Sequence, residues 1–241
     1  MVTDSEIRVD ENWDIHKMRK KAEPLKLSIS KEALSKLPAA HFVGTITVID
    51  KVDDIQPAID TLNKAKIIGF DTETRPSFKK GQRNKVALIQ LCDSTQCFLF
   101  RINKTGITPP LKELLENNGK IKVGLSLNDD FMNLKKVLDM KPAGFIDLQK
   151  YVKSSGILDN SLSRIYAIIF GQRISKNQRL SNWEAPTLTE HQQQYAALDA
   201  LACIRIYDAL SKNHFSPKDS QYIVDEDPYL PKPQPEKSTA E

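Results

Sequence analysis

Between residues 42 and 147 the hydrophobic pattern changes period every ten to fifteen residues, and this alternation restricts the architectures open to the chain. FVGTITVID (42–50) and KIIGFD (66–71) read as strands, with a helical DDIQPAIDTLNKA between them. KVALIQLCD and CFLF follow as strands around a turn at DSTQ. PPLKELLENNG then reads as a helix opened by proline and closed by asparagine and glycine, KIKVGL as a buried strand, and NDDFMNLKKVLDM as a helix. From about residue 147 onward the pattern is mostly helical, ending in a long helix from about Leu188 to Leu210. Strands first, helices later and crossovers between them predict an α/β domain on a mixed β-sheet flanked by α-helices.

A chain of 241 residues suits one such domain with appendages. Residues 1–40 carry charges of both signs and one short helical pattern, SKEALSKL after a serine cap, and are expected to form an arm. The domain itself is placed at 41–214. Residues 215–241, rich in proline, acids and small polar residues, have the composition of a disordered tail. Cys92, Cys97 and Cys203 are odd in number and lack C-x-x-C spacing, so free thiols in a reducing, cytoplasmic setting are expected. The acidic start MVTDSEIRVDENWD does not resemble a signal peptide, and no segment reaches membrane-span length. Four scattered histidines, His16, His41, His191 and His214, offer no zinc-ligand spacing. A net charge of +4 permits a nucleic-acid partner without requiring one.

The chemistry concentrates in acids at element ends. The apolar run of KIIGFDTET breaks into Asp71 and Glu73 at the end of a strand. Asp130 begins the helix after KVGLS, and Asp199 sits among alanines and leucines in the last helix, where an ionised carboxylate is costly without compensation. Tyr195 precedes Asp199 by four residues and shares its helix face. Carboxylates from three elements, without histidine or cysteine, suit hard cations such as Mg²⁺ or Mn²⁺. Two such ions about 3.5–4 Å apart serve phosphoryl transfer. Each acid has a plainer reading. D-x-E is common as a solvated turn, Asp129 and Asp130 could cap their helix, and Tyr195 could be a packed aromatic. Their co-occurrence in this order favours the site.

FDTET, GLSLNDD and YAALDA together resemble the three exonuclease motifs of the DEDD superfamily, the DnaQ-like 3'-to-5' exonucleases built on a ribonuclease H-like fold. The spacing Tyr195-x-x-x-Asp199 resembles the tyrosine branch, which includes ribonuclease D, proofreading domains and the Werner-syndrome exonuclease. RLSNWEAPTLTEHQQQYAALDA is similar to Werner-type and ribonuclease D members, in which S-N-W and L-T-x-x-Q precede the tyrosine motif. The resemblance covers roughly residues 43–212. It implies that Asp71, Glu73, Asp130 and Asp199 are metal ligands for two ions and that Tyr195 orients the attacking water. Asp130 is preferred to Asp129 because the family places this acid six residues after a glycine like Gly124.

Thr72 and Thr74 beside the first motif, with Arg75, Lys79, Lys80, Arg83, Arg173, Lys176 and Arg179 from the two flanking segments, are candidate substrate contacts. Solvated loop charges are the plainer reading. The resemblance implies a metal-dependent exonuclease that releases nucleoside monophosphates from single-stranded 3' ends, with duplex ends also open. A ribonuclease D-like RNA trimming enzyme and a binding module with a lapsed metal site are the alternatives. No G-x-x-x-x-G-K-[ST] loop is present, so a helicase activity is not expected. The chain looks short for the helical RNA-binding domains that accompany ribonuclease D, which tilts the expectation weakly toward DNA.

Overall fold

The computed structural model describes residues 25–77 and 84–230. The strands are β1 (Lys26–Leu27), β2 (Thr45–Ile49), β3 (Ile67–Thr74), β4 (Val86–Cys92), β5 (Gln96–Phe100), β6 (Ile121–Gly124), β7 (Phe145–Asp147) and β8 (Ile223–Val224). Six of them form one sheet in the order β2-β5-β4-β3-β6-β7. In it β4 runs antiparallel to both neighbours, and the other pairs are parallel. This is the mixed α/β sheet that the sequence pattern predicts.

Both faces of the sheet are covered, so β4, VALIQLC, is buried at every residue and shows no apolar–polar alternation. On β3 the two-residue period divides the faces. Ile68 and Phe70 belong to the core formed with α2 (Ile55–Leu62) and α4 (Pro109–Glu116). Gly69, on the opposite face, meets α8 (Glu190–Ser211), which lies across β3, β4, β5 and β6. Asp71 and Glu73 share the parity of Gly69 and therefore the α8 side. The remaining helices are α1 (Lys31–Lys36), α3 (Ile102–Thr105), α5 (Asn128–Lys135), α6 (Gln149–Ser154) and α7 (Leu162–Phe170).

Three expectations are corrected. Residues 25–40 are not a detached arm: β1 pairs antiparallel with β8, Leu27 and Ile29 are core residues, and only α1, with its Ser30 cap, follows the helix expected there. The segment 215–230 is folded, with Phe215 and Tyr222 packed on the core. A fully buried carboxylate, Asp159, joins the two segments. It accepts hydrogen bonds from the Ile29 amide at 2.9 Å, the Ser28 hydroxyl at 3.1 Å, the Arg164 guanidinium at 2.9 Å and the Tyr229 hydroxyl. Composition misreads both segments because each buries its few apolar side chains on the other and on the domain. Finally, Cys92 and Cys97 are not free. The β4–β5 register places them directly opposite each other, and they form a disulfide with a Cα–Cα distance of 4.1 Å. Cys203 alone is a free, buried thiol.

β7 is a strand in the stretch between the helix ending near residue 140 and the helical region beginning near 147, to which the sequence pattern assigns no element. Residues 1–24 and 231–241, the rest of the expected arm and tail, lie outside the described residues. No helix among the described residues is long and apolar enough to cross a membrane.

Candidate active site

The site forms where β3 passes beneath α8. Asp71 and Glu73 project from alternate positions of the rigid strand, and Asp199 descends from the helix above. One carboxylate oxygen from each lies within 4.8 Å of the others. Glu73 and Asp199 are buried, and Asp71 is half-buried. The capping box at Thr189 and Gln192 fixes where α8 starts and hence the rotational phase that turns Tyr195 and Asp199 to the same side.

Asp130 reaches the site from the other face of the sheet, at the start of α5. Thr72, on that face of β3, donates its hydroxyl to the Asp130 carboxylate. Asp129 beside it is exposed, so the structure turns Asp130 rather than Asp129 inward. The sequence reading missed what holds this helix start. Asp147, at the end of β7, accepts from the amides of Ser126 (3.1 Å), Leu127 (3.0 Å) and Gln149 (3.0 Å). It thereby stabilises the turn in which Ser126 takes a left-handed φ of 61°. An acid closing the short apolar run GFID was the available signal.

Packing these acids together raises their affinity for protons. Burial is the largest cause at each of the four, and the neighbouring carboxylates add to it at Asp71 and Glu73. Glu73 is pushed up to about 10, Asp199 to about 7 and Asp130 to about 6, and Asp71 is raised well above its usual range. The Thr72 hydroxyl pulls Asp130 back, and Tyr195 and Lys176 pull Asp199 back. No lysine or arginine forms an ion pair with Asp71, Glu73 or Asp199 among the described residues. An all-oxygen donor set with uncompensated negative charge fits a hard divalent cation.

Tyr195 is half-buried one turn before Asp199, and its hydroxyl lies close enough to lower the Asp199 pKa. Burial, then Asp199 and Glu73, raises its pKa, so the phenol stays protonated. Its ring meets that of the fully buried Trp183, with centroids 6.0 Å apart. It also lines a cleft of about 260 Å³ shared with His41, Phe42, Gln178 and His191.

The basic candidates separate. Arg179 lies near enough to Glu73 to counter the rise in its pKa, and Lys176 does the same for Asp199 while burial lowers its own. Exposed Arg75 pairs with Glu184 at 3.3 Å. Arg173 is turned to structure: its Nε donates to the Leu37 carbonyl at 3.0 Å, and its backbone pairs with Pro38 and Ala40. The Thr72 hydroxyl is occupied by Asp130, and half-buried Thr74 pairs with Val86 at the end of the β3–β4 ladder, just past a register shift. Lys79, Lys80 and Arg83 lie outside the described residues.

Residues 46–214 match the family model described as 3'-5' exonuclease. The mouse bifunctional 3'-5' exonuclease/ATP-dependent helicase WRN is 33% identical over 221 residues, covering 87% of this chain and 16% of that protein. The chain thus spans about a sixth of that relative's length. In fold it is similar to the EXO domain of Nibbler from Aedes aegypti, with a TM-score of 0.66 and 22% identity over 75% of this chain and 96% of that one. It also resembles ribonuclease D of Trypanosoma brucei in complex with RNA U12, with a TM-score of 0.61 and 20% identity over 74% of this chain and 64% of that one.

Proposed function

Because this chain belongs to the family of 3'-5' exonuclease domains, we propose that its acid cluster hydrolyses the terminal phosphodiester of a nucleic-acid strand from the 3' end, releasing nucleoside monophosphates. The observation that carries this reading is the convergence of Asp71, Glu73 and Asp199 within 4.8 Å, unpaired with any cationic side chain among the described residues. Asp71, Glu73, Asp199 and Asp130 would hold two divalent cations, Mg²⁺ or Mn²⁺. When bound, such ions supply charge stabilisation at the scissile phosphate and make water a nucleophile near neutral pH.

The chain's own groups do the rest. Tyr195, protonated and beside Asp199, cannot act as a general base near neutral pH; it donates a hydrogen bond that aims the attacking oxygen. Arg179 and Lys176, beside the acids, meet the phosphate backbone, and Arg75, Lys79, Lys80, Arg83 and Thr74 are further candidates for contact with it. Arg173 leaves this set for the structural role described above.

The substrate we propose is a single-stranded 3' end, with DNA weakly preferred over RNA. The fold shared with an RNA-bound ribonuclease D favours a second reading, trimming of RNA 3' ends. Rates on matched DNA, RNA and duplex-end substrates test the choice. Faster turnover of single-stranded DNA supports the first reading and faster turnover of RNA the second. Tight binding without metal-dependent turnover would leave only a scaffold.

A further inference from the structure

The S-N-W and L-T-x-x-Q motifs meet in space. Gln192, already part of the capping box on α8, donates through its amide to the Ser181 hydroxyl at 2.9 Å and to the Asn182 carbonyl at 3.3 Å. From the other direction, the buried guanidinium of Arg101 donates to the Ala185 carbonyl, and Lys104 donates to the Pro186 carbonyl at 2.8 Å while braced on Asp50 at 3.1 Å. Glu184 is held by Arg75 at 3.3 Å, and its own amide donates to Asn182 Oδ1 at 3.1 Å. A surface connection needs few such ties. Residues 181–186 have ties from the strand β3 end, the α3 region and α8.

These ties present Trp183. It is wholly buried, its ring inclined 33° to that of Tyr195, and its Nε1 is buried without a hydrogen-bond partner among the described residues. An indole placed for polar anchoring would have used that donor. What remains is a flat plate beside the phenol, with ring centroids 6.0 Å apart, while the phenol also borders the open cleft. Without the plate, the Tyr195 side chain could leave the rotamer that points its hydroxyl at Asp199.

We propose that Trp183 is a positioning residue that acts through Tyr195, and that Gln192, Arg101 and Lys104 clamp residues 181–186 in order to hold it. This rests on the exonuclease reading. A Trp183 that only fills the core would lower stability and slow turnover independently of the phenol.

The test is a double-mutant cycle on single-turnover rates with wild type, Trp183→Leu, Tyr195→Phe and the double variant. Trp183→Leu is expected to lower the rate about tenfold with Tyr195 present and by less than about twofold in the Tyr195→Phe background, because residues acting as a unit are non-additive. KM should move little, and Trp183→Phe, which keeps a flat ring, should retain most of the rate. Should Trp183→Leu fail to fold, Gln192→Met, which removes the clamp from α8, enters the cycle with the same expectation. Equal losses in both backgrounds, or no loss in the wild-type background, overturn the proposal while wild-type turnover keeps the exonuclease reading standing. A folded wild type without turnover removes both.

Discussion

A Cβ placed on Gly69 would lie 2.0 Å from the backbone carbonyl oxygen of Ala200. The obstacle is main chain, so β3 and α8 touch there at the closest approach the backbone allows. Asp199 adjoins Ala200 and Asp71 lies two residues beyond Gly69, so this contact sets how near the carboxylates come. Gly69→Ala must push the helix away. It is expected to destabilise the fold by about 1–3 kcal/mol, as overpacking does. It should also slow catalysis by about a hundredfold, the scale of a 1 Å misplacement. Urea denaturation and single-turnover rates check the two effects, and a fully active variant would show that the spacing is set elsewhere.

The raised pKa values of the acid cluster predict how the protein responds to pH when divalent ions are chelated. Free carboxyls titrate near about 4, whereas Asp130 and Asp199 titrate at about 6 and about 7 in the fold and Glu73 at about 10. The folded state holds these protons more tightly, so their contribution to stability is complete below pH of about 4 and is lost as pH rises through the folded values. Melting temperature in chelator should therefore fall between acid and neutral pH more steeply for wild type than for Asp199→Asn. The comparison matters because Asp50 and Asp93, whose pKa values are lowered, act in the opposite sense. Mg²⁺ should restore stability, most at the higher pH, because binding competes with protons. A wild type whose melting temperature rises with pH as steeply as that of Asp199→Asn would contradict the crowding of the cluster.

The Asp159 junction makes the C-terminal segment part of the fold. Tyr229→Phe removes one donor from a fully buried carboxylate and is expected to cost about 1–3 kcal/mol. Deletion from residue 216 onward, which also removes β8, should cost more. Neither change touches the acid cluster, so kcat at a temperature where the variants stay folded should remain within about twofold of wild type. Thermal melts beside turnover assays separate the two quantities, and an unchanged melting temperature after the deletion would contradict the packing.

Arg179 and Lys176 should act on the strand rather than on the chemistry. Each phosphate contact removed lowers the slope of log affinity against log salt by about 0.7–0.9. Arg179→Ala is expected to show that flattening on a single-stranded oligonucleotide, with weaker binding at low salt. Arg173→Ala, whose guanidinium serves the Leu37 carbonyl, should leave the slope unchanged and lower stability. Titrations at several salt concentrations distinguish the two arginines.

The sequence reveals the acids because burying charge leaves a local trace: an apolar run that ends in D-x-E, and an aspartate among alanines. It reveals the strands and helices that carry them for the same reason, since their periods are local. What it conceals depends on register and return of the chain. Cys92 and Cys97 oppose each other only once β4 and β5 are in register. Asp147 matters only because β7 ends beside the loop before α5. Leu27 and Ile29 look like isolated apolar residues in a charged arm until the chain lays them on the core, where β1 also pairs with β8. Trp183 lies twelve residues from Tyr195 in the chain, and only the clamp on residues 181–186 brings the rings together.

On the proposed function, Asp71, Glu73 and Asp199 act together to cleave a strand from its 3' end. The most direct measurement follows a 5'-labelled single strand with Mg²⁺ or with chelator, using wild type and the isosteric variants Asp71→Asn, Glu73→Gln and Asp199→Asn. Wild type should shorten the strand one nucleotide at a time from the 3' end, release mononucleotides and stop in chelator. Each variant should melt at or above the wild-type temperature in chelator yet lose at least about a hundred- to a thousandfold in rate, the cost of removing one preorganised electrostatic contributor. A variant that retains the wild-type rate would show that its carboxylate is not needed, and a label released first as a 5' mononucleotide would show cleavage from the other end.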